Sequence, residues 1–128
     1  MMMKLLLIGS GGFIGSVLRY LVSGSVQTAS QSIAFPYGTL AVNVIGCLFI
    51  GFLSELAESR ALLSPDTRSF LVIGILGGFT TFSAFGNETM HLLRDGETAL
   101  ALANIGAQVL LSLGAVWLGY TLAYVIWR

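Results

Sequence analysis

The chain has 128 residues, of which 55% are hydrophobic and only 9% charged. Its mean hydropathy is +0.88, which excludes an ordinary soluble domain and puts the chain in a lipid bilayer. Six basic residues balance six acidic ones, so neither a nucleic-acid partner nor an acidic substrate surface is expected.

A hydrocarbon core about 30 Å thick takes about 20 mainly apolar residues to cross. The apolar runs predict an all-α membrane protein, a single four-helix transmembrane domain over 1–128 with helices at about 4–23, 38–56, 69–92 and 98–126. The first run starts like a signal sequence but continues past Arg19 without a small-residue cleavage site, so it reads as a retained helix. Gly12, Gly15 and Arg19 share one of its faces. Small residues there let a neighbouring helix come close, and Arg19 either snorkels to the interface or gives an anion an electropositive vestibule.

An uncharged, Ser-rich loop ending at Pro36 leads to the second helix, where Thr39, Asn43 and Gly46 recur at helical spacing. At mid-span depth a polar group needs a partner, so Asn43 either joins helices or lines a polar path. A charged connection follows, with Ser64, Pro65 and Asp66 as a helix-start signal. The third span contains "GILGGFTTFSAF", in which Gly74, Gly77, Gly78, Thr80 and Thr81 are poor helix formers at its centre. This predicts a break, tolerated in a membrane only where the freed backbone is buried, lines a cavity or binds an ion. Phe82 and Phe85, three residues apart, point the same way on the resumed helix. Their rings either pack or turn electropositive edges toward a small anion. In the fourth helix Asn104, Gln108 and Ser112 form a stripe that zips to another helix or lines a wet groove.

Three of these stretches resemble the CrcB/Fluc family of fluoride channels. "GILGGFTTFSAF" is similar to its third-helix pattern, "YGTLAVNVIG" to that of the second helix, and "GGFIGSVLRY" to that of the first. The resemblance implies an antiparallel, dual-topology homodimer with two fluoride pores. Phe82 and Phe85 would meet fluoride through their ring edges, and Asn43 would be the pore asparagine. Thr39 and Ser83, inside the matched motifs, would belong to the same pore, and Ser112 with Gln108 would form a polar track. Arg19 would face a vestibule. A sodium ion would lie at the dimer centre, held by the backbone carbonyls of Gly77 and Thr80. A bacterial cytoplasmic (inner) membrane is the implied location, with fluoride, the lipid bilayer and a second copy as partners. Ala84, Gly86 and Val116 depart from the family pattern, and Val116 stands where a threonine would extend the polar track.

Basic residues divide weakly between the two sides: Lys4, Arg60, Arg68 and Arg128 against Arg94 and Arg19. So small a bias permits insertion in both orientations. Two other classes compete with a channel. A proton-coupled exporter needs a carboxylate inside the membrane, and Glu55, Glu58, Glu88 and Glu97 read as lying near span ends. A non-transporting subunit would use the polar stripes only to bind helices. An enzyme is not expected: His91 has no partner at motif spacing, Cys47 reads as small packing, and Gly9, Gly11 and Gly12 lack the strand and the lysine of a phosphate loop.

Overall fold

The computed structural model describes residues 1–128. The chain is helical throughout: α1 (Met2–Ser30), α2 (Tyr37–Ser54), α3 (Pro65–Arg68), α4 (Gly77–Phe79), α5 (Phe82–Arg94) and α6 (Thr98–Ile126). Wider π-helical turns extend α2 over Glu55–Ser59 and join α3 to α4 over Ser69–Leu76. These pieces make four helices long and apolar enough to cross a membrane: Met2–Ser30, Tyr37–Ser59, Pro65–Arg94 and Thr98–Ile126. Only 23 of 128 residues are buried, as expected for a multi-pass membrane protein whose apolar exterior faces lipid rather than water.

The first helix does not stop near Ser23. It continues to Ser30 because nothing in that stretch forbids it; one glycine and several polar residues each cost at most about 1 kcal/mol of helix propensity. It ends where Gln31 turns left-handed (φ 55°) and its N–H closes on the Thr28 carbonyl at 3.2 Å. Gln27 then organises the short loop. Its Nε2 donates to the Ser32 and Phe35 carbonyls at 2.8 and 3.1 Å, while its Oε1 accepts from the Gly38 N–H at 3.0 Å. At the third span Ser64 caps the start, accepting from the Thr67 N–H at 3.1 Å, with Pro65 in the first turn.

Close backbone approach sets the packing. A Cβ at Gly15 would collide with the Ile75 carbonyl, and Gly11 and Gly74 lie against each other, so α1 seats directly on the first half of the third span. A Cβ at Gly51 would meet the Val116 carbonyl and one at Gly119 the Leu48 carbonyl, so α2 and α6 form an equally close pair. Without a hydrophobic drive between helices in lipid, small residues of this kind supply the packing contact. The third span changes neighbours along its length. Ser69–Leu76 and α4 pack on α1, whereas α5 packs on α6, and α2 touches both halves.

Candidate functional site

The change of neighbour happens at Thr80 and Thr81, whose backbones are extended (φ −86°, ψ 158° and φ −152°, ψ 114°) between α4 and α5. Two helical hydrogen bonds are redirected there. The Thr81 N–H, which an unbroken helix would give to Gly77, donates instead to Asn43 Oδ1 at 2.8 Å. The Ala84 N–H, which would go to Thr80, donates to the Thr81 hydroxyl at 3.2 Å, making Thr81 the N-cap of α5. Asn43 completes the repair: its Nδ2 donates to the Thr81 carbonyl at 3.1 Å and to Gln108 Oε1 at 3.0 Å. Thr80 keeps its N–H and hydroxyl on the Leu76 carbonyl, each at 3.0 Å, and its own carbonyl accepts from Arg19 Nη1 at 3.4 Å.

Two cavities share Thr81 as a wall. The inner one, about 350 Å³, is lined by Asn43, Gly77, Thr80, Phe82, Phe85, Gln108 and Ser112 among others. The Phe82 and Phe85 rings lie 5.4 Å apart in an edge-on arrangement (60°). The outer one, about 640 Å³, is lined by Arg19, Thr39, Ser83, Asn87 and Glu88 among others. The expected pore residues are therefore divided: Thr39 and Ser83 stand with Arg19 on the outer cavity, away from the ring pair. Ser83 lies 3.3 Å from the Thr81 hydroxyl. The α6 stripe divides as well. Asn104 is fully buried and donates to Thr89 Oγ1 at 3.0 Å, so it zips α6 to α5, while Ser112 lines the inner cavity. The Val116 backbone packs on Gly51 at the α2–α6 crossing.

Residues 6–120 match the family described as CrcB-like protein, Camphor Resistance (CrcB). The chain belongs to the CrcB-like family. Relatives called fluoride-specific ion channel FluC include one from Methylobacillus flagellatus, 46% identical over 94% of both chains. Another, from Rhizobium meliloti, is 50% identical over 94% of this chain and 96% of its own. A third, FluC 3 of Methanosarcina barkeri, is 47% identical over 95% and 91%.

Three features of this CrcB-like chain were not legible in its sequence. Glu88, read as a residue near a span end, lies in the C-terminal part of the third span, half buried, and accepts from the Thr39 hydroxyl at 2.7 Å. Its partner is 49 positions away, and no local pattern announces such a pair. Cys47, read as packing, is half buried and lines the inner cavity. The main-chain groups of Thr81 carry the junction with α2. The adjoining threonines signalled weak helix, but the partner that satisfies them is visible only once α2 is laid alongside.

Proposed function

We propose that this chain is a passive, fluoride-selective channel that lets fluoride leave the cell and so protects it from fluoride toxicity. The inner cavity carries the reading. It sets an edge-on phenylalanine pair beside amide and hydroxyl groups, with no charged side chain in its lining. Ring edges and neutral donors replace part of a small anion's hydration without holding it by a full opposite charge, and conduction requires that balance. The names of the relatives support fluoride as the ion. Arg19 lines the polar outer cavity, which Glu88 also lines, and its cation offsets that carboxylate toward an approaching anion.

The reading includes an antiparallel, dual-topology homodimer with two pores in a bacterial inner membrane. Phe82 lines the inner cavity yet is 83% exposed, so one wall stands open in a single copy, and a second copy would close it. It also includes a structural sodium ion. The Gly77 and Thr80 carbonyls have both lost their helical N–H partners to Asn43 and Thr81; the Thr80 oxygen accepts from Arg19 at 3.4 Å and keeps a second lone pair, and carbonyl oxygens without a helical partner suit a hard monovalent cation. Bound there, sodium would supply positive charge to compensate the exposed carbonyls of the interrupted span.

Fluoride efflux from proteoliposomes of purified protein, with chloride as control, tests the reading; no fluoride release would end it. Glu88 favours one second reading, a proton-coupled exporter, because it is a half-buried carboxylate in the third span's helix, bonded to Thr39 of α2. A passive channel releases fluoride at a rate set by the fluoride gradient and membrane voltage with no pH gradient imposed. A coupled exporter accumulates fluoride against its gradient when a proton gradient is supplied.

A further inference from the structure

We propose that Gln108 is the side chain that donates to the anion in the inner cavity, and that Asn43 is a positioning residue whose own hydrogens are already spent. The assignment rests on the fluoride reading of that cavity, and its logic starts in the main chain. A backbone N–H can only donate, so the freed Thr81 N–H requires an oxygen, and Asn43 supplies Oδ1 at 2.8 Å. That orientation turns Asn43 Nδ2 toward the Thr81 carbonyl at 3.1 Å and Gln108 at 3.0 Å. An NH2 group has two hydrogens, and both now have acceptors.

A donor facing Gln108 in turn requires an oxygen, so Gln108 presents Oε1 to Asn43. Its NH2 group is left over. Gln108 is only 6% exposed, Nε2 has no hydrogen-bond partner, and the residue lines the cavity together with Phe82, Phe85 and Ser112. Turning the Gln108 amide over would set two NH2 groups face to face, so the direction is not free. The polarity of one main-chain group at the interrupted helix thus passes through two side-chain amides and emerges as an unpaired donor. A buried donor without a partner is costly, and an anion relieves that cost whereas a cation does not. The break in the third span therefore also sets which sign of charge the adjoining wall favours.

Solid-state NMR of the full ¹⁵N-labelled chain in lipid bilayers, with sodium fluoride added, reads the two amides separately. Fluoride is expected to move the Gln108 side-chain NH2 resonances and to leave those of Asn43 nearly in place. Asn43→Asp keeps an oxygen for the Thr81 N–H but puts a second oxygen where Nδ2 stood. The Gln108 NH2 then turns to the introduced carboxylate, its response to fluoride disappears, and efflux falls about ten-fold or more. Gln108→Met removes the donor at similar volume and lowers efflux about ten-fold, while the Thr81 amide keeps its protection from exchange. Fluoride shifts at Asn43 alone, or wild-type efflux in Gln108→Met, would overturn the assignment. A wild-type protein that releases no fluoride would sink the channel reading and the assignment with it. Wild-type efflux with a silent Gln108 amide would sink only the assignment.

Discussion

Asn43 and the phenylalanine pair behave differently as single residues. Asn43 holds three groups at once, the Thr81 N–H, the Thr81 carbonyl and the Gln108 side-chain oxygen, and through them the seam that α2 makes with the α4–α5 junction and α6. Asn43→Ala leaves two main-chain groups and one side-chain oxygen without partners, at about 1–3 kcal/mol for each group that stays buried. A clear drop in the thermal unfolding midpoint in detergent is the expected outcome, alongside loss of fluoride efflux. Phe82 makes little such contribution. It is 83% exposed in one copy, so Phe82→Ile should leave the fold of the single chain intact. Phe82→Ile and Phe85→Ile are each expected to slow fluoride efflux several-fold to about ten-fold, the scale of one aromatic contact. Unchanged efflux in both variants would remove the rings from the path.

Glycine decides the fit between elements. Gly15 and Gly24 lie on the same helix, yet a Cβ at Gly15 meets the Ile75 main chain while one at Gly24 has open space around it. Gly15→Ala is expected to push α1 off the Ser69–Leu76 turns and cost about 1–3 kcal/mol, as overpacking of a rigid contact does. Gly24→Ala should gain up to about 1 kcal/mol of helix propensity. Unfolding the two variants side by side in one detergent measures the difference. The spans themselves were legible from apolar run length, and a weak centre in the third from its glycines and threonines. The end of α1 was not. The Gln31 turn and the Gln27 clamp, bonding to Ser32, Phe35 and Gly38, depend on where the chain returns, and polar loop composition carries no such record.

For the molecule as a whole, charge and exposed apolar surface bear on assembly and sodium. The basic residues read as four on one side and two on the other, a bias small enough to permit insertion in both orientations. Single cysteines introduced near Lys4 and near Arg128 in a Cys47→Ser background should be labelled by an impermeant thiol reagent from both faces of the membrane. Labelling from one face only would rule out dual topology. If sodium compensates the Gly77 and Thr80 carbonyls, replacing it with a large organic cation should lower the unfolding midpoint and the efflux rate together. Indifference to the exchange would remove the ion from the proposal.

By itself the sequence determined that this is a four-span membrane protein with an interruption-prone third helix and a CrcB-like set of motifs, because apolar length, helix propensity and spacing are local properties of the chain. The tertiary structure alone decided which polar groups meet. Asn43 and Thr81 are 38 positions apart, Asn43 and Gln108 65, and Thr39 and Glu88 49. Hydrogen bonds are short and directional, so their pairing, and with it the direction in which each amide points, exists only after the glycine contacts have set the helices side by side.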